Sequence, residues 1–217
     1  HLVRAVTVPV FMLRITLTQA AAIHCLQLHR PLFEMNGGKI TGNKHLTTAA
    51  VLSPSTAKSE ITININNGEI SGNKVTRGSG GAVAAFFGVT ELNIKDGTLT
   101  ENSAQNYGGG VFLYDATNVT ISGGTLTGNS AQRFGGGVYL TLILLLRRPA
   151  VPLKTNVAYT GGGVCGGTYT MTGGVIKDNN NSLTEEVRLS TRGDGVFVGT
   201  ASILGMMLRS ARITMSI

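Results

Sequence analysis

The 217-residue chain carries 30 glycines, roughly twice the usual share of about 7%. Only 13% of its residues are charged, tryptophan is absent, and the formal net charge is +7. These totals exclude a disordered polyelectrolyte and an ordinary charged enzyme surface, and they suit many short strands joined by tight turns.

Taken in chain order, residues 1–30 are rich in Leu, Arg and His, and read as an irregular or degenerate first coil. An apolar-x-x-Asn signature then begins at Ile40-Thr-Gly-Asn43. It returns at Ile70-Ser-Gly-Asn73, Leu99-Thr-Glu-Asn102, Leu126-Thr-Gly-Asn129, Leu153-Lys-Thr-Asn156 and Ile176-Lys-Asp-Asn179. Successive asparagines lie 30, 29, 27, 27 and 23 residues apart. Between residues 97–113 and 124–140 the similarity extends to the whole unit, with only four of seventeen positions differing.

Each signature is preceded by an alternating stretch such as Ile61-Thr-Ile-Asn-Ile65, Leu92-Asn-Ile94 or Val119-Thr-Ile121, which reads as a strand with one buried face. The first five are followed by small residues and a valine: Gly81-Ala-Val83, Gly109-Gly-Val111, Gly136-Gly-Val138, Gly162-Gly-Val164 and, more weakly, Ala49-Ala-Val51. About three short strands per unit, a period in the twenties and no helical stretch predict an all-β parallel β-helix over residues 31–200. Its six to seven coils of roughly 27 residues would span roughly 30 Å at the usual strand spacing. The right-handed sense is expected from the usual chirality of parallel crossovers.

Stacking explains the repetition, because equivalent residues of successive coils lie on one another. Ile40, Ile70, Leu99, Leu126, Leu153 and Ile176 are expected as an inward aliphatic column, and the asparagines as a ladder of amides that also satisfies turn backbone. Glycines before the valine are expected where φ is positive or the next coil packs closely. Phe112, Tyr139 and Cys165, after the valine, are expected to point outward. Residues 140–154 lose this composition yet keep one coil's length, and read as a diverged or frame-shifted coil. A short helix interrupting or capping the stack is the alternative there and at 201–217.

These elements, with Gly80-Gly-Ala-Val83 as the fullest match, resemble the repeats of chlamydial-type polymorphic outer membrane proteins and of related bacterial surface β-helix proteins. The chain departs from that pattern in using Ile or Leu where the family has Phe before x-x-Asn, and mostly Gly-Gly-Gly-Val downstream. The resemblance covers roughly residues 33–198. It implies a surface-exposed, outer-membrane or secreted passenger region of autotransporter type, acting as an adhesin toward host glycans or proteins.

An enzyme of this architecture needs paired carboxylates or acids clustered for calcium. The best acids are Asp96, Asp115, Asp178, Glu185, Glu186 and Asp194; Asp96 and Asp115 fall at natural turn positions. Glu185 and Glu186, with Arg188, Arg192 and Asp194, lie in the longest loop-like stretch, where a site would be sought first. His1, His24, His29 and His45 have no metal-ligand spacing. Two cysteines, Cys25 and Cys165, make neither a disulfide framework nor a zinc site, and Cys165 has no activating charge nearby in sequence. Scattered Lys and Arg match no nucleic-acid motif. The apolar run 140–146 falls far short of the roughly 18 residues that span a bilayer.

Thr98/Thr100 and Thr125/Thr127 would stack one coil apart, but the equivalent pairs Lys39/Thr41, Glu69/Ser71, Pro152/Lys154 and Val175/Lys177 break any regular threonine surface. Asn118-Val-Thr120 and Asn180-Asn-Ser182 are glycosylation sequons of the kind an Asn/Thr-rich chain contains by chance. No catalytic, cofactor-binding or metal-binding residue is therefore nominated. The expected function is non-enzymatic, with a carbohydrate-active or carbohydrate-binding β-helix (lyase or glycosidase) as the alternative.

Overall fold

A computed structural model describes residues 6–8, 13–16, 23–25, 32–47, 49–53, 61–86, 89–114, 118–141, 143–146, 152–166, 168–171, 175–181, 196–198, 200–203 and 213–215. They form 27 strands in three sheets of nine, twelve and six, and no helix is present among them. Every strand pairing is parallel, and each strand pairs with its equivalents one coil away. The fold is a parallel β-solenoid. Its regular body comprises four coils, residues 61–85, 89–113, 118–140 and 143–165, fewer than the six to seven expected from the signature count. The asparagine file nonetheless continues for one coil on either side.

A coil contains four short strands, not the three expected. In one coil they are Val89–Ile94, Gly97–Thr100, Ser103–Ala104 and Val111–Leu113, and we refer to the stacked equivalents as walls one to four. The strand that the spacing does not reveal is wall three: Ser103–Ala104 is only two residues long and shows no alternation. Walls one and two are the alternating stretch and the signature, and in the preceding coil they run together as one strand, Ile61–Ser71, which pairs with Val89–Ile94 at its start and Gly97–Thr100 at its end.

The core consists of axial files. Ile40, Ile70, Leu99, Leu126, Leu153 and Ile176 stand in register on wall two, and all six are fully buried. Val51, Val83, Val111, Val138 and Val164 form the facing file of wall four. Wall one adds Phe33, Ile63, Leu92 and Val119, then Met35, Ile65, Ile94 and Ile121. Burying each such side chain contributes about 1.5–3 kcal/mol, and none is buried until a neighbouring coil covers it.

The asparagines form the expected ladder. Asn73, Asn102, Asn129 and Asn156 are fully buried at the corner between walls two and three. Asn102 Nδ2 donates to the carbonyl of Ile70 at 2.8 Å and to Asn129 Oδ1 at 3.1 Å. Its own Oδ1 accepts the backbone N–H of Asn73 at 3.1 Å and Asn73 Nδ2 at 2.9 Å. Both amide protons and both oxygen lone pairs are thus used. The two ends of the apolar-x-x-Asn signature are bonded across coils: the Asn of one coil holds the carbonyl of the apolar residue one coil below.

Glycine serves both roles expected of it before the valine. Gly135 takes φ 65°, and a Cβ at Gly136 would come within 2.5 Å of the carbonyl oxygens of Gly162 and Val157. One residue turns the chain and the next admits the adjacent coil.

The atypical stretches are built into the same stack where they are described. Ile143–Leu146 pairs in register with Asn118–Ile121, and Pro152–Lys154 pairs with Thr125–Thr127. Near the ends, Val6–Val8 pairs with Ile23–Cys25, Thr200–Ile203 with Thr168–Met171, and Ile213–Met215 with Val196–Val198. The described residues of 140–154 and 201–217 are strand, apart from a bend at Thr141, so the helical alternative is not realised in them.

Phe112 and Cys165 depart from expectation in exposure. They alternate with core-facing residues, as an outward residue should, yet are only 5% and 4% exposed. Phe112 packs with Ala49 and Ala84 in a second apolar cluster, which Phe86, Tyr107 and Tyr139 cover.

Candidate binding face

The acids nominated from sequence are not brought together among the described residues. Asp96 is exposed on the corner between walls one and two, and Asp178 is exposed on the next corner, between walls two and three, three coils away. Asp115, Glu185, Glu186 and Asp194, with Arg188 and Arg192, lie outside the described residues, as do His1, His29 and Ser182 of the second sequon. His45 sits on wall three in register with Val75, and His24 lies in strand Ile23–Cys25. Asn118 of the first sequon opens a wall-one strand opposite Glu91. Among the described residues no group of three His, Cys, Asp or Glu is placed to hold a metal ion.

Wall two carries the threonine pairs in the expected register, Thr98 beside Thr125 and Thr100 beside Thr127. The next rung is ionic: Glu69 accepts from Lys39 Nζ at 2.6 Å and from Ser71 Oγ at 2.6 Å. Those two hydrogen bonds, Lys39 first, hold the Glu69 carboxyl below the usual carboxylate range.

Wall three presents a different surface. Its strands are only two residues long, as in Ser103–Ala104 and Ser130–Ala131. The second residue points inward, so the residues on either side of it form two parallel outer rails. One rail is Lys74, Ser103 and Ser130; the other is Thr76, Gln105 and Gln132. Between them lies an open groove of about 390 Å³ floored by Val75, Ala104 and Ala131. Backbone bonds from Thr76 N–H to the His45 carbonyl at 2.9 Å and from Gln105 N–H to the Val75 carbonyl at 3.1 Å hold the second rail in register.

Beyond the groove, the corner leading to wall four bears rings. Tyr107 bridges to Phe134 of the next coil, their centroids 5.6 Å apart and nearly parallel at 11°. Tyr107 also stacks on Tyr139 at 4.9 Å, and Phe112 on Tyr139 at 5.7 Å and 9°, while Phe86 leans on Phe112 at 5.0 Å. Such ring pairs each add about 0.5–1.5 kcal/mol beyond their buried area. Cys165 continues the file beyond Tyr139, and burial pushes its thiol up to about 12. It is therefore protonated and unreactive in the folded chain at neutral pH.

Neither the groove nor the ring cluster was singled out in the sequence. The repeated Ser-Ala-Gln at 103–105 and 130–132 carried the signal for the first, and the Tyr107/Phe134 and Phe112/Tyr139 exchanges between repeats for the second. No protein-family model, curated protein or solved structure matches this chain.

Proposed function

We propose that this chain is a non-enzymatic repeat region of a cell-surface or secreted protein, a passenger-type adhesin whose stiff solenoid holds its outer walls against another surface. The observation that carries the reading is the saturated asparagine file, five coil-to-coil steps from Asn43 to Asn179, in which polar side chains are used for stacking. A rod bonded internally in this way holds successive outer rungs in register, whatever residues they carry. The resemblance of the apolar-x-x-Asn and Gly-Gly-Ala-Val83 elements to bacterial surface repeats supports the placement outside the cell. The lyase or glycosidase alternative calls for converging carboxylates, and Asp96 and Asp178 stand on separate corners.

The reading is tested by tagging the full gene product in its own cell. The tag is expected to be reached by antibody on intact cells, and the purified chain is expected to leave acidic and neutral polysaccharides uncut. New reducing ends or unsaturated products, or a tag reached only after lysis, would overturn it.

A further inference from the structure

We infer that the groove of wall three binds an extended acidic polysaccharide lying parallel to the solenoid axis. The inference rests on the adhesin reading and names the ligand class for it. The coil register sets Lys44 directly beside Lys74 in one outer file, and both are exposed. Like charges opposed on neighbouring strands destabilise a sheet, and an anion lying over them removes that penalty. Arg77 and Arg133, also exposed, stand just past the second rail, where their backbone N–H groups donate to the carbonyls of Leu46 and Asn106. None of these four cations forms an ion pair among the described residues. The rungs 44–47, 74–77, 103–106 and 130–133 contain no Asp or Glu, and Glu101 stands on the corner before the first rail.

Between the cations the rails offer Ser103 and Ser130 hydroxyls on one side and Gln105 and Gln132 amides on the other. Each rung therefore supplies donors and acceptors, repeated at the coil spacing of about 4.8 Å. An extended glycan presents hydroxyls and ring oxygens at every sugar, and an acidic one adds carboxylate or sulfate groups for the cations. A single nucleic-acid strand would satisfy the charge but requires free aromatic faces for its bases. Tyr159 continues the second rail one rung beyond Gln132, while Tyr107 and Phe134 are stacked on each other and Tyr107 also on Tyr139. One ring on the rail gives no succession of stacking faces for bases, and the hydrogen-bonding rails favour the sugar polymer.

The test measures binding of the intact chain to polygalacturonate, dextran sulfate, unmodified dextran and oligothymidylate at physiological ionic strength. At least one acidic polysaccharide is expected to bind and dextran to fail, the stronger of the two identifying carboxylate or sulfate as the preferred group. Lys74→Glu should raise Kd at least about fivefold and lower the salt dependence, Lys74→Gln should do so less, and Glu101→Gln should tighten binding. Gln105→Ala with Gln132→Ala should weaken it at unchanged salt dependence. Lys95→Glu, an exposed reversal on another corner, should change Kd less than about twofold. Equal binding of dextran, tighter binding of oligothymidylate, equal loss with Lys95→Glu, or no binding of either acidic polymer would overturn the assignment. Circular dichroism confirms that each variant keeps its β-structure. Cleavage of a bound polymer would instead refute the non-enzymatic reading and leave the groove in place.

Discussion

Asn102 donates twice to a single atom of Asn129: its backbone N–H and its Nδ2 both reach Oδ1 at 3.1 Å. The same doubled bond joins Asn129 to Asn156 at 3.0 and 3.1 Å. A side chain that bonds both the backbone and the amide of its neighbour couples the path of one coil to the next.

Asn102→Ala should therefore be severe. It strips partners from the Ile70 carbonyl and from the backbone N–H and side-chain amide of Asn73, all buried, and is expected to cost about 3–5 kcal/mol. Asn43→Ala, at an end of the file and 8% exposed, loses its side-chain bond to Asn73 and should cost about 1 kcal/mol. Urea denaturation of the two variants gives the comparison. Equal losses would contradict the ladder account.

The residue before each asparagine occupies a left-handed conformation in all six copies. Gly42, Gly72 and Gly128 take φ of 68°, 62° and 66°, but Glu101, Thr155 and Asp178 are held at 55°, 51° and 56°. A Cβ is unfavourable there by about 1–2 kcal/mol, most for a β-branched residue. Thr155→Gly should raise stability by about 1 kcal/mol net of the greater entropy of the unfolded chain, and Glu101→Gly by less. Gly128→Thr should lower it. Thermal melting checks all three.

Cys165 should resist thiol-reactive dyes in the folded chain and label rapidly after denaturation. Its raised thiol pKa also has a pH consequence. Above the ordinary value of 9.0 the unfolded chain ionises this thiol while the folded chain keeps it protonated. The contribution is present in full below pH 9 and is lost as pH rises toward 12. Cys165→Ala should flatten that alkaline decline in a stability-versus-pH series, at some cost in packing.

Tyr107→Ala removes ring contacts to Phe112, Phe134 and Tyr139 and uncovers Phe112. Stability should fall by about 2–4 kcal/mol, with loss of near-ultraviolet dichroism and new binding of a hydrophobic dye. Tyr107→Phe should retain most of it.

The solenoid was legible because axial stacking rewards identical residues at a constant interval: Ile70, Leu99 and Leu126 must each lie on an equivalent residue, as must Asn73, Asn102 and Asn129. The outer faces, and the path of the corner between walls one and two, obey no such rule. The bend within Ile61–Ser71 follows from pairing with two separate strands of the next coil, which no local pattern reveals. Phe112 and Cys165 read as exposed because their alternation with core residues is genuine, and only the rings of neighbouring corners and coils cover the cluster.

Sequence alone determined the winding, the inward files and the asparagine ladder, since each is a requirement that a coil imposes on its own copy. Tertiary structure decided that Lys44 meets Lys74, that serine and glutamine line two sides of one groove, and that Tyr107 roofs Phe112. Stacking sets no demand on which residues occupy these outer positions, and their meeting depends on how each corner turns the backbone in space.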